Sequence, residues 1–78
     1  YTIIKYELPH DADVSLVVYN LLGEVVQILV SSDKPSGRHG IVWNGESISN
    51  SDVPSGIYIY QLTVDGVVSG SKKMVLVK

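Results

Sequence analysis

Apolar residues in this chain recur at every second position within short runs, and turn-forming residues separate the runs. A period of two is typical of a β-strand with one buried face, whereas an α-helix has a period of about 3.6 residues. In the clearest run, "GIYIYQLTV", one face carries Tyr58, Tyr60 and Leu62. The pattern predicts strands over residues 2–8, 14–20, 24–30, 38–44, 56–64 and 67–78.

The segments between these runs have the composition of turns and loops. Pro9 ends the first run, because proline cannot donate a hydrogen bond to a strand ladder. Gly23 is free to adopt a positive φ in a tight connection, and residues 31–37 are predicted to form a loop. Asp65-Gly66 predicts a two-residue hairpin, since a type I′ turn needs a positive φ at both central positions.

A helix remains an alternative for residues 21–30, because five of their apolar side chains fit a helical spacing. Gly23 in the middle and the β-branched content favour a strand instead.

Six or seven short strands with turns between them predict an all-β fold, an Ig-like antiparallel β-sandwich. The 78 residues predict one domain, spanning 1–78. One face of each strand is expected to form the core. The inward residues predicted with most support are Ile4, Tyr6, Leu8, Val14, Leu16, Val18, Tyr58, Tyr60, Leu62, Val64, Met74 and Leu76.

Composition excludes several function classes. The net charge of −2 gives no basic surface for nucleic acid, and the absence of cysteine excludes disulfides and thiolate metal sites. No apolar run approaches the roughly 20 residues that span a bilayer, so membrane insertion is not expected. The chain begins in a strand-like run, which suggests a domain of a larger protein.

Catalytic motifs are absent from the sequence, and we expect neither an enzyme nor a cofactor. No nucleophile elbow and no phosphate-binding glycine loop occurs. His10 is expected to be a solvated turn residue. His39 shares a strand face with Trp43 and is expected to be partly buried and hydrogen-bonded, because a metal or acid–base role needs convergent partners.

The polar stretch from residue 45 to 55 contains oxygen-bearing side chains that calcium accepts as ligands. Together with Asn44 these are Glu46, Asn50 and Asp52, but EF-hand spacing is missing. Turn formation is the favoured interpretation, since asparagine tolerates the left-handed conformation. The stretch is then a crossover between the sheets.

Aromatic residues flank that stretch. Trp43, Tyr58 and Tyr60 could form a platform for sugar or peptide, but alternation places the tyrosines beside core residues. We therefore expect the rings in the core. Lys72 and Lys73 are expected to lie at a solvated edge that discourages strand addition.

Several segments, in this order, resemble a known family. They are "TIIKYELP", "VSLVVYNLLGEVVQILV", "KPSGRHGIVWNG", "VPSGIYIYQL" and "KKMVLVK". Together they are similar to the C-terminal sorting domain of the type IX secretion system (type A). The Ig-like domain of the flagellar hook-capping protein is a related fold with the same W-x-G and G-x-Y spacing. The sorting family's W-D-G is here Trp43-Asn44-Gly45, and Asn50 replaces a common glycine.

The resemblance implies a non-catalytic sorting signal at the C-terminus of an exported Bacteroidetes protein. Its implied partners are the type IX machinery, a sortase-like peptidase and an N-terminal cargo domain. Its implied location is the periplasm in transit and then the cell surface or the medium. The family's motifs imply partner recognition at Gly56, Tyr58, Tyr60, Lys72, Lys73, Met74, Val75, Leu76, Val77 and Lys78.

Two other functions remain open. One is an Ig-like spacer or carbohydrate-binding accessory domain of an extracellular enzyme. The other is a hook-capping type of structural domain, which is expected to form oligomers.

Overall fold

The computed structural model describes residues 1–77, and six β-strands make up most of them. Each predicted run forms a strand, so the prediction of an all-β fold is confirmed. The strands are β1 (Thr2–Leu8), β2 (Ala12–Tyr19), β3 (Val25–Lys34), β4 (Gly37–Trp43), β5 (Gly56–Val64) and β6 (Val67–Leu76).

The strands form two antiparallel sheets of unequal size. β1 pairs with β4 in a two-stranded sheet, and the other sheet has the order β3-β2-β5-β6. The segment between β4 and β5 passes from the small sheet to the large one, as predicted for a crossover. The architecture is an Ig-like β-sandwich.

The core lies between the sheets and is formed by the faces that alternation predicts. Trp43, Leu16 and Val18 have at most 1% of their surface exposed. Tyr6, Tyr60, Leu62 and Val64 are only partly buried against this core. The other buried residues are Ile4, Leu8, Ala12, Val14, Val26, Val30, Tyr58, Met74 and Leu76.

The third strand differs most from the prediction. It runs to Lys34, so the predicted end at Val30 and the predicted loop over residues 31–34 are wrong. Ala12 opposes Lys34 and Ser15 opposes Ser31. Because of this pairing, β2 begins at Ala12, two residues before the predicted start at Val14. Residues 31–34 are polar, yet their backbone continues the hydrogen-bonded pairing with β2. Antiparallel pairing depends on backbone groups and does not require one face of the strand to be buried. The helical alternative for residues 21–30 is also wrong, since residues 25–30 are strand.

Two irregularities in the β2–β3 register were not predicted. Leu16 opposes Val30 while Val17 opposes Ile28, so Leu29 has no partner on β2. A bulge of this kind changes the direction in which the neighbouring side chains point. Here it allows both Leu29 and Val30 to contact the core.

The remaining boundary differences are short. β4 begins and ends one residue before the predicted 38–44, and β6 ends at Leu76 rather than at residue 78. Val77 follows the strand and is exposed, and Lys78 lies outside the described residues.

The predicted turns form as expected. Asp65 and Gly66 have φ values of 51° and 80°, both positive as a type I′ hairpin requires. Gly23 has a φ of 83° in the β2–β3 turn. The Asn20 side-chain oxygen accepts hydrogen bonds at 3.0 Å from the N–H groups of Leu22 and Glu24, which holds this turn in one conformation.

Candidate partner-recognition surface

The residues predicted for partner recognition lie side by side on β5 and β6, apart from the C-terminal residues 77–78. Gly56 opposes Leu76, Tyr58 opposes Met74, and Tyr60 opposes Lys72. The two segments are far apart in sequence, and the hairpin at residues 65–66 brings them into one antiparallel pair at the edge of the large sheet.

Alternation divides this set between the two faces of the sheet. Tyr58, Met74 and Leu76 are buried in the core. These three side chains are therefore not accessible to a partner that approaches from solvent.

The solvent face of the β5–β6 pair is apolar at the end where β5 begins and β6 ends. Ile57 and Val75 are direct cross-strand partners and are 46% and 62% exposed. Ile59 opposes the exposed Lys73 next to them. Val77 is also exposed and continues the chain from this end.

The apolar character extends across all four strands at this end of the large sheet, whereas Ser15, Thr63 and Ser31 make the solvent face polar toward the other end. Ile59 opposes Tyr19, which in turn opposes Val25, and Val17 opposes Ile28. Val25 and Ile28 are about half exposed, at 51% and 45%. Ile57, Ile59, Val75, Val17, Tyr19, Val25 and Ile28 together form what we call the outer face.

An apolar surface of this extent is typical of an interaction site on a small domain. The contribution of β3 to this face was not predicted from the sequence. One available signal was that Val17 and Tyr19 alternate with core residues yet are not polar.

Trp43 and Tyr58 anchor the crossover segment at its two ends. The Trp43 indole N–H donates to the carbonyl oxygen of Glu46 at 2.9 Å, and the Tyr58 hydroxyl donates to that of Pro54 at 2.6 Å. The two rings meet edge to face with centroids 5.0 Å apart. Both rings are buried, so the prediction that they lie in the core is confirmed for these two, whereas Tyr60 is only partly buried.

A second set of contacts ties the crossover to β3, and sequence reasoning did not find it. The Ile48 N–H donates to the Val26 carbonyl at 2.7 Å. The Gln27 side-chain amide donates to the carbonyls of Glu46 at 3.3 Å and Ser47 at 3.1 Å. Nothing in the local sequence signals these bonds, because their partners are about 20 residues apart.

The oxygen-bearing side chains considered for calcium take part in turn formation. Asn44 accepts a hydrogen bond from the Glu46 N–H at 3.2 Å, and its amide donates to the Glu46 carboxylate at 3.3 Å. Asn50 has a φ of 63°, as predicted for the residue that replaces a glycine. Within residues 1–77, no three His, Cys, Asp or Glu side chains cluster in a way that suits a metal ion.

The two histidines have the surroundings expected of structural residues. His39 is partly buried, stacks on Tyr6 with centroids 5.1 Å apart, and has Nε2 2.7 Å from the Pro35 carbonyl. Burial raises the pKa of the Tyr6 hydroxyl above its ordinary value of 10.0. His10 is exposed, with Nδ1 2.9 Å from the Asp11 carbonyl.

Comparison with known families agrees with this architecture. The model of the FlgD Ig-like domain matches residues 2–68. The chain belongs to the FlgD Ig-like domain family. The W-x-G spacing of this FlgD-type domain includes Gly45, which has a φ of 81°, and its G-x-Y spacing runs from Gly56 to the buried Tyr58.

The family match ends inside β6, so residues 69–76 of this strand lie beyond it. No curated protein matches the chain. Among the described residues, no helix is long and apolar enough to cross a membrane.

Proposed function

We propose that this FlgD-type Ig-like domain is a non-catalytic C-terminal sorting domain for type IX secretion. In this proposal an N-terminal cargo domain of the same protein is exported to the periplasm. The outer-membrane translocon then recognises the folded sorting domain, and a sortase-like peptidase processes it. The cargo reaches the cell surface or the medium.

The observation that carries the proposal is the pairing of "SGIYIY" with "KKMVLV". These are two of the four segments in which the resemblance to sorting domains is most specific, and they lie on the adjacent strands β5 and β6. The pair lies at an edge of the large sheet, where Ile57, Val75 and Lys73 face solvent. A partner can therefore bind the exposed side chains of these two strands while the domain stays folded.

Secretion of a fusion protein tests the sorting role. A fluorescent reporter with an N-terminal export signal, joined to residues 1–78, is expressed in a bacterium that has a type IX system. We expect reporter at the cell surface or in the medium. Retention of the intact fusion in the periplasm contradicts the proposed role.

A pair of point variants tests the recognition surface. Val75→Asp places a charge on the outer face and is expected to reduce secretion severalfold. Val67→Asp changes an equally exposed valine at the opposite end of β6 and is the matched control. Circular dichroism shows whether both variants remain folded. Equal secretion of the two variants contradicts recognition through this part of the outer face.

The family match supports a second candidate, a structural module of the hook-capping type or a spacer. The match covers residues 2–68, and the apolar outer face offers a surface for assembly. A structural module of the hook-capping type is expected to form oligomers in solution, which sedimentation velocity measures. The carbohydrate alternative lacks such support, because Trp43 and Tyr58 are buried.

A further inference from the structure

The two sides of the sandwich are closed to different degrees. At the edge formed by β3, residues 45–55 cross over and bond to Val26 and Gln27. We call this the closed side. At the opposite edge, a cleft of about 250 Å³ separates β1 of the small sheet from β6 of the large one. We call this the open side.

The cleft on the open side has an apolar floor. Leu16, Tyr60 and Leu62 line it from the inner face of the large sheet, and Ile4 and Tyr6 line it from β1. Tyr60, Leu62 and Tyr6 are only partly buried. Burial of apolar surface is favourable, so a ligand that covers this floor is stabilised there.

The β6 wall of the cleft is formed by three small residues and, at one end, by a lysine. It consists of Ser69, Gly70 and Ser71, followed by Lys72. Gly70 opposes the inward-facing Leu62, and a Cβ atom added to Gly70 meets nothing within 4 Å. Small residues here leave room for side chains that enter from outside.

The β1 wall offers a free backbone edge. Within the described chain, β1 pairs with β4 alone, so its other edge carries the N–H and C=O groups of an unextended ladder. The seven residues of β1 span about 23 Å at ~3.3 Å per residue. An edge of this kind is a template for an added strand.

We propose that the open side binds an extended peptide segment of about six or seven residues, which adds to β1 as the third strand of the small sheet. Backbone hydrogen bonds to β1 hold the segment. Side chains at alternate positions point to the same side as Ile4 and Tyr6 and enter the cleft. The intervening side chains lie beside Lys5 and Glu7, which are exposed, and are polar.

The unpaired backbone edge of β1 favours an extended peptide over other ligands. A compact apolar ligand covers the floor but leaves the edge of β1 unpaired, whereas an extended segment satisfies both. This inference does not depend on the sorting role, because the cleft and the outer face lie on different faces of β5 and β6.

A designed peptide tests the proposal. The probe is KVTVTVK with blocked ends, whose valines occupy alternate positions. The control is KVPVPVK, which keeps the charges and valines but has prolines that cannot donate to a ladder. Titration into the ¹⁵N-labelled 78-residue chain is followed by NMR. We expect saturable shifts in β1 and residues 69–72 with the probe and none with the control, at peptide concentrations up to about 1 mM.

Two single-residue variants identify the cleft as the binding site. Gly70→Leu fills the cleft from β6 and is expected to weaken binding at least tenfold. Ser31→Leu adds the same side chain at an exposed position on β3, which does not line the cleft, and is expected to leave binding unchanged. NMR spectra of both variants show whether the fold is kept.

Four results overturn the proposal: no saturable shifts with the probe, equal binding of the proline control, shifts confined to the outer face, or equal binding to the two leucine variants. A dimer joined through the β1 edges, detected by sedimentation, also overturns it in favour of a second copy as occupant.

Discussion

The closed and open sides of this sandwich show how one small sheet can cover a larger one. On the closed side, a crossover anchored by Trp43 and Tyr58 bonds to β3 and covers that edge of the core. On the open side, two strands face four, and part of the inner face remains exposed. The core is therefore covered where the crossover takes the place of a strand, and it stays partly exposed where no described segment does so.

Leu16 and Leu62 show the contrast at the level of two residues. They are direct partners on β2 and β5 and point to the same inner face. Leu16 is 0% exposed, whereas Leu62 is only partly buried at the cleft. Both leucines line the cleft, but Leu62 lies on β5 beside the β6 wall, whereas Leu16 lies one strand further into the sheet.

Trp43→Ala is expected to have the largest effect, since it removes the anchor of the closed side. Truncation of a buried aromatic costs about 3–5 kcal/mol. The whole domain is expected to have about 4–12 kcal/mol of stability for its 78 residues. The variant is therefore expected to lose a large part of this stability, which a urea titration followed by far-UV circular dichroism measures as a lower midpoint. A urea midpoint within 0.5 M, on the order of 1 kcal/mol, of the wild type contradicts the anchoring role.

Leu16→Ala and Leu62→Ala compare the stability lost on truncating a fully buried leucine with that lost on truncating a partly buried one. Leu16→Ala is expected to cost about 2–5 kcal/mol, the range for a buried leucine. Leu62→Ala is expected to cost about 1 kcal/mol, because the residue already contacts solvent and leaves no enclosed cavity. Urea unfolding measures both. Equal losses show that the open side is as well packed as the rest of the core.

Gly70→Ala is expected to stabilise the domain by about 0.4–1 kcal/mol. An alanine at this open position meets no neighbour and reduces the conformational freedom of the unfolded chain. Gly66→Ala is the matched control, since Gly66 also has free space but a φ of +80°. This control is expected to lose stability. If Gly70→Ala also destabilises, the cleft is not open at β6.

Tyr6 provides the smallest predicted effect, a pH dependence at the β1 wall of the cleft. Burial raises the pKa of its hydroxyl above 10.0, so above that pH the unfolded state releases this proton more readily than the folded state. Stability is therefore expected to fall as the pH rises through 10.0 toward the folded-state value. Tyr6→Phe is expected to show a smaller fall in urea midpoint between pH 9 and pH 11 (about one unit either side of the ordinary tyrosine pKa). Identical falls in both proteins contradict a buried Tyr6.

Local pattern determined much of this fold. The period of two predicted six strands and their inward faces, and Asp65-Gly66 predicted the type I′ hairpin, because both signals depend on neighbouring residues alone. The role of the polar stretch as a crossover was also predictable, since Trp43 and Tyr58 at its ends are core residues. Pairing of the two motif-bearing segments followed from that hairpin.

Other features depend on residues far apart in sequence. The polar extension of β3 through Lys34 forms because Ala12 lies opposite, and the bulge at Leu29 depends on how both strands meet the core. The bonds that close one side join residues of β3 to residues 46–48. The open cleft results from unequal sheet sizes. Periodicity predicts strands but not how many of them each sheet receives.

Amide hydrogen exchange on the native domain tests the contrast between the two sides most directly. We expect slow exchange for the Ile48 amide, which lies in a loop but donates a hydrogen bond to the Val26 carbonyl. We expect fast exchange for alternate amides along β1, whose outward edge is free. Fast exchange at Ile48, or uniform protection along β1, contradicts a sandwich closed on one side and open on the other.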